Sequence, residues 1–373
     1  MLPYYIMVGI PALLTLYVKR SPSYDYKKER LVINSFFLIW LLLLLFRSEK
    51  IGIDINVYKY HFVNYSKFTW SELFEKIIGG EIEAGYATLI KVVTIFSDDF
   101  RWVLVMCALI AVVPIWKLYS DESESVKESF LVIVLFLNIA PFVMYFSGLR
   151  QAMAMAFIAP CYLYCRNKEL FKFLICVLVA CLFHQSAFII LILYPVYHLR
   201  LKRDIHILYL VPVVGIIYYF NVPIFKFLLL FLQEKYLDRY GDSISSTGAY
   251  SMLLLLSVLL IYAFLIPDQK ELDDDTIGLR NILFLCVIMQ VFAGVHTIAM
   301  RMNYYFLLLV PLLIPKIMTA GKEKYEALIR VSKICMIAFF AFYYFYFAYT
   351  DKDILSIYPY QSLFYEIFNP SLY

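Results

Sequence analysis

Residues 31–46 read LVINSFFLIWLLLLLF, sixteen positions without one charged side chain. Apolar residues here do not alternate with polar ones, so the run cannot be a half-buried strand and reads as a helix in an apolar surround. Similar runs recur at roughly 2–18, 102–119, 130–146, 152–165, 171–183, 186–199, 205–220, 249–266, 281–296, 303–320 and 331–349. The composition agrees: of 373 residues 63% are hydrophobic and 17% charged, where a soluble domain sits nearer one half and one quarter. The expected fold class is therefore all-α, a multi-pass transmembrane protein of about twelve spans, several shorter than the ~20 residues a bilayer core asks for. A soluble enzyme, a disulfide scaffold and a β-barrel are excluded. The net charge of +4 is spread over the loops and suggests no nucleic-acid surface.

Lysine and arginine placement sets the direction of the spans. With the first helix running inward, inner loops collect 20 of the 33 basic residues, so both termini are expected outside. The run 84–96 is left out of the spans, because counting it would reverse the inner loops. The chain then reads as one integral membrane domain, 1–373, with outer loops at 47–101 and 221–248 that carry amphipathic helices, and an outer tail at 350–373. In the first loop Phe74, Ile77 and Ile78 oppose Glu72, Glu75 and Lys76. In the second, Asn221 and Pro223 mark a helix start. No cleavable signal is expected at Met1, which no basic segment precedes. The inner loops are too short for a nucleotide domain and hold no glycine-rich phosphate pattern. Asp273, Asp274 and Asp275 read as a solvated acidic loop, and the seven cysteines as packing or lipid-facing residues without metal-ligand spacing. No metal and no cofactor are expected.

Three short outer turns hold the candidate chemistry: Ser147-Gly148-Leu149-Arg150-Gln151, His184-Gln185-Ser186 and Arg301-Met302-Asn303-Tyr304-Tyr305. Ser147, Ser186 and Asn303 are good N-cap types, so each turn is expected to open a helix whose free N–H groups favour an anion. Arg150, His184 and Arg301 add positive charge there. The run 171–183 rises only about 20 Å against a core of about 30 Å, which would sink His184 below the outer surface. Arginine forks at such a place suit a diphosphate. Arg47 and the turn Gly52-Ile53-Asp54 follow the opening helix. Asp54, and more weakly Glu83, could accept a proton or bind sugar hydroxyls. His296 is another proton-transfer candidate. Snorkelling to lipid phosphates is the bland alternative for the arginines.

Taken in order, Arg47, Gly52-Ile53-Asp54 with Asn56 and Tyr58, Glu83-Ala84-Gly85-Tyr86, Gly148-Leu149-Arg150-Gln151-Ala152, Phe183-His184-Gln185-Ser186-Ala187, Arg301 with Tyr304-Tyr305, and Pro359-Tyr360 resemble the EpsG-like branch of Wzy polysaccharide polymerases. The resemblance covers nearly the whole chain. It implies a multi-pass glycosyltransferase of the lipid-phosphate-dependent, GT-C-like kind in the bacterial inner membrane, making O-antigen, capsule or exopolysaccharide. Its substrates would be undecaprenyl-diphosphate-linked oligosaccharides joined at the periplasmic face, with undecaprenyl diphosphate released. Membrane lipids and a Wzz-like chain-length regulator would be its partners. Arg150 and Arg301 would neutralise the leaving diphosphate, and His184 or Asp54 would take the proton of the attacking hydroxyl. Arg47, Gln151, Gln185, Glu83, Tyr304 and His296 would line the substrate site. A lipid-linked-sugar flippase or transporter and an O-antigen ligase are the rival readings.

The topology is directly testable. Single cysteines at 147–151 and 297–302 should react with an impermeant thiol reagent from outside, while those at 200–204 and 267–280 should be protected. Protection at position 150 would remove the diphosphate argument.

Overall fold

The structure is a computed structural model that describes residues 2–20, 26–126, 128–200, 212–229, 250–349 and 357–364. The described residues are helical throughout, apart from turns and one isolated bridge between Arg47 and Ser362. They form two compact units, one of residues 1–188 with 333–373 and one of residues 189–332.

The first unit begins with α1 (Leu2–Arg20) and α2 (Tyr26–Leu45). An amphipathic segment follows: α3 (Ile55–Lys67), α4 (Trp70–Ile78) and α5 (Ala84–Val93). Next come α6 (Arg101–Val126), α7 (Ser129–Ile139), the single turn α8 (Met144–Ser147), α9 (Leu149–Ala156), α10 (Ile158–Arg166) and α11 (Leu170–Phe183). The uncharged run that opens the sequence sorts itself into two faces. Ile33, Phe36, Phe37, Trp40 and Leu44 are buried, while Leu31, Leu38 and Leu42 stay exposed, as expected of a helix with protein on one side and lipid on the other. Phe136 of α7 inserts among Phe36, Phe37, Trp40 and Tyr119 with ring centroids 5.3–5.6 Å apart. Trp116 Nε1 donates to Asn34 Oδ1 at 2.8 Å, tying α6 to α2.

Among the described residues four helices are long and apolar enough to cross a membrane: Leu2–Arg20, Arg101–Ser123, Asp274–Ala293 and Lys322–Tyr346. A fifth candidate is the pair Thr297–Leu307 and Val310–Ala320, bent by 50°. Most other expected spans are shorter or broken. The run 130–146 stops as a helix at Ile139, where Pro141 follows, and 152–165 divides at Phe157. The run 186–199 is 3-10 over Gln185–Ile192 before the short helix Leu193–Tyr197. The expected span 205–220 is described only from 212 onward, as a helix over 212–219. Of the second outer loop, Asn221–Leu229 is a helix, and the charged stretch from Glu234 to Arg239 lies outside the described residues. So does most of the 350–373 tail. In α4 it is Leu73 that is buried, whereas Phe74 and Ile78 are exposed. The apolar face expected there therefore points away from the protein.

Within the second unit Asp273 and Asp274 of the aspartate triplet are exposed as expected, and Asp275 is the one largely covered, while all three have partners. Asp273 caps the helix Asp274–Ala293 by accepting from Thr276 N–H at 2.7 Å. Asp274 pairs with Arg200 at 2.8 Å, and Asp275 accepts from Tyr197 Oη at 2.6 Å and from Lys316.

The loop after α2 is seated by close backbone packing. Arg47, 5% exposed, donates to the Phe146 carbonyl. Gly52 has φ +104°, and a Cβ there would meet the same carbonyl oxygen at 2.1 Å. From the other side, Leu363 N–H donates to Phe46 O at 2.8 Å and Ser48 N–H to Gln361 O at 2.9 Å. A Gly52→Ala change combines a left-handed backbone with a backbone clash, and should cost about 1–3 kcal/mol. A lowered unfolding temperature of the detergent-solubilised variant would report it. An unchanged value would mean the loop is not docked as described.

Candidate active site

Three elements of the first unit converge on one carboxylate. Glu83 occupies the N-cap position of α5 but makes no cap bond with its side chain. Its Oε1 instead lies 2.7 Å from His184 Nδ1, and its Oε2 accepts from Arg150 Nη1. Arg150 is the second residue of α9, and His184 is the extended residue that ends α11. Glycine explains the close approach. A Cβ on Gly85 would lie 2.9 Å from the Leu182 carbonyl oxygen and 3.1 Å from the Phe183 ring. Any larger residue would push the start of α5 off the end of α11. Phe183 also stacks on Phe157, the break between α9 and α10, with centroids 5.6 Å apart.

The Glu83 side chain is 11% exposed, against 32% for Arg150 and 28% for His184. Burial alone would push the Glu83 carboxyl up. The His184 hydrogen bond and the Arg150 charge together outweigh it and hold the group below its ordinary value. An ionised Glu83 makes His184 Nδ1 the donor, which leaves Nε2 as the position able to take up a proton.

One wall of the site is aromatic and comes from α3. Tyr58, His61 and Tyr65 recur at helical spacing, and Arg150 lies over the Tyr58 ring at 5.8 Å. His61 stacks on Tyr65 at 5.3 Å, and Tyr86 meets Tyr58 edge-on at 5.5 Å. Burial and then the Arg150 charge keep the His61 imidazole below its usual range, with Glu83 pulling the other way. His61 and Tyr65 escaped the sequence reading, although their spacing from Tyr58 was a usable signal.

The remaining candidates divide. Asp54 does not cap α3 with its side chain. It accepts from Ser147 Oγ at 3.1 Å, while its own N–H donates to that oxygen at 3.3 Å. Ser147 thus ends α8 and is no N-cap; Gly148 holds that position for α9. Arg47 is a buried support for the Phe146 carbonyl. Gln151 is buried and Gln185 exposed. Ser186 sits within the 3-10 segment and caps no α-helix.

Arg301, Tyr304 and His296 belong to the second unit. Arg301 is exposed and does not open a helix, because Thr297–Leu307 starts a turn earlier. His296 is the N-cap of that helix, its Nδ1 accepting from Ile298 N–H at 3.1 Å, and its ring stacks on Phe225 at 6.2 Å. Asn303 is buried in mid-helix, donating to Cys286 O and Gln290 Oε1. Among the described residues no three His, Cys, Asp or Glu side chains group so as to hold a metal ion.

The fold and this site define an all-helical membrane protein with a carboxylate-bridged histidine and arginine. A profile of the EpsG family matches residues 30–362, nearly the whole chain, and the chain belongs to that family. No curated protein and no solved structure gives a significant match.

Linkage supplies a test of the bridge. Because folding lowers the Glu83 pKa, its contribution to stability is present above the ordinary carboxyl pKa of about 4.3. It is lost as pH falls through the lower folded value. Glu83→Gln should therefore lower the unfolding temperature relative to wild type near neutral pH, with the gap closing in acid. A gap that does not change with pH would remove the ionised bridge.

Proposed function

We propose that the chain is a polysaccharide polymerase that joins oligosaccharide units carried on undecaprenyl diphosphate at the periplasmic face of the inner membrane. Membership of the EpsG family supports the polymerase role. Long apolar helices suit a substrate carried on a lipid. The observation that carries the chemistry is the Glu83 bridge, with His184 on one carboxylate oxygen and Arg150 on the other.

In this reading Glu83 holds His184 Nδ1–H and so presents Nε2 as the base. A hydroxyl of one lipid-linked unit attacks the anomeric carbon of the growing chain. Its proton passes to Nε2, and the imidazolium so formed is stabilised by Glu83. The bond from the anomeric carbon to the diphosphate oxygen breaks, and its electron pair leaves with the lipid diphosphate. Arg150 uses one arm of its fork on Glu83 and keeps further N–H donors for the developing negative charge. Asp54, aligned by Ser147, serves as an acceptor for sugar hydroxyls. Arg47 acts at a distance, by fixing the carbonyl beneath the Ser147–Arg150 turn.

Purified protein given synthetic lipid-linked repeat units should yield a ladder of products and free undecaprenyl diphosphate. Incorporation into lipid A, with no ladder, would point to a ligase. His184→Ala should depress turnover by roughly 10²–10⁴-fold while sparing binding of the lipid diphosphate. Arg150→Lys should lose polymer in cells at normal membrane levels, since a point charge cannot replace two parallel donors. Full-length polymer from Arg150→Lys would reduce Arg150 to an anchor.

A further inference from the structure

On the face of α3 adjoining Tyr58, His61 and Tyr65 lies an open groove of about 660 Å³. At about 100° per residue, Lys59, Phe62 and Val63 turn toward the groove while Tyr58, His61 and Tyr65 turn toward the Glu83 site. One helix therefore forms a wall of both. The other walls are Glu49, from the loop after α2, and the turn 97–101 that leads into α6.

Ion pairs join these segments. Glu49 accepts from Lys59 Nζ at 2.5 Å and faces Arg101 Nε at 3.4 Å. Asp99 Oδ1 accepts the Arg101 backbone N–H at 2.9 Å. Phe62 and Phe100, ring centroids 5.8 Å apart, pack between the charged walls. The side chains of Lys59, Asp99 and Arg101 remain 53%, 51% and 42% exposed. Its volume is in the range of small-molecule sites, and its lining mixes the charged side chains with the apolar surface of Phe62, Val63 and Phe100. A prenyl tail would strip the remaining water from these half-exposed ion pairs and return no hydrogen bonds. A hydroxyl-rich ligand would replace that water, because carboxylates accept from hydroxyls while ammonium and guanidinium groups donate to sugar oxygens.

We propose that this groove is a glycan subsite. It holds the distal sugars of the lipid-linked chain whose reducing-end sugar occupies the Glu83 site, an assignment that rests on the polymerase reading for the class of ligand. Sugars leaving the reacting centre would cross α3 and settle between Lys59 and Asp99. The growing product would then stay bound between rounds of addition, and a weakened groove would release shorter polymer.

The probe is a set of short oligosaccharides freed by mild acid from the source cell's own lipid-linked glycan. They are titrated against the full-length protein in detergent and followed by saturation-transfer NMR. Lys59→Glu and Val63→Trp should each bind about tenfold more weakly than wild type. Glu75→Gln, exposed on α4 and outside both the groove and the Glu83 site, should bind like wild type. In cells the two groove variants should shift the polymer to shorter lengths. Lys59 is exposed, so its variant reports on the groove even where Val63→Trp fails to fold. Wild-type affinity in Lys59→Glu, or no binding by the wild type, overturns the subsite. A wild-type protein that binds the oligosaccharides yet forms no ladder from lipid-linked units overturns the polymerase reading and leaves the groove as a glycan site.

Discussion

A carboxylate placed 11% exposed beneath two helix ends has lost most of its water, and it is tolerable only because both of its oxygens are engaged. Glu83 meets this condition by reaching from the start of α5 to His184 at the end of α11 and to Arg150 at the start of α9. The bridge joins helix termini from three parts of the chain, so the position of each depends on the other two. Removing either partner would leave a buried charge half compensated. The packing that allows the bridge is equally strict, since Gly85 leaves no room for a Cβ against Leu182. Charge pairing and backbone approach at this point are one constraint seen from two sides.

A second set of contacts sets the height of Arg150. The Phe146 carbonyl accepts from Arg47 and lies against Gly52, and Ser147 exchanges hydrogen bonds with Asp54. The loop after α2 is thereby locked to the α8–α9 turn. That turn lies between two expected spans, and the first of them is itself broken between Ile139 and Met144. A broken helix leaves backbone groups unpaired, which a membrane protein tolerates only where protein covers them. The residues around this turn meet that requirement, because Tyr145, Phe146, Ser147, Leu149 and Ala152 are all buried. Irregular backbone can therefore carry polar side chains into an otherwise apolar unit.

The aromatic content of the chain also resolves into distinct uses. Phe136 and its neighbours are core, where large rings supply buried area. Tyr58, His61 and Tyr65 instead stand beside Arg150, where a ring face can hold a guanidinium. Composition alone treats both groups alike.

Much was legible in the residues themselves. The uncharged run at 31–46 and its repeats settled an all-helical membrane protein, because only a helix satisfies every backbone group within an apolar segment. Local turn chemistry singled out Arg150, His184, Asp54 and Glu83, since charged groups beside long apolar runs are costly and few. Partnership was not legible. Glu83 looked the weaker acid, yet it is the hub, because a hydrogen bond across 101 positions of chain leaves no periodicity to read. Ser147 looked like a helix cap and proved to be the partner of Asp54. Asn303 looked like a cap too, and is a buried cross-link between helices. Short-range rules decide which residues are unusual, whereas which of them meet is decided by helix breaks and by close backbone approach, and those exist only once the chain has packed.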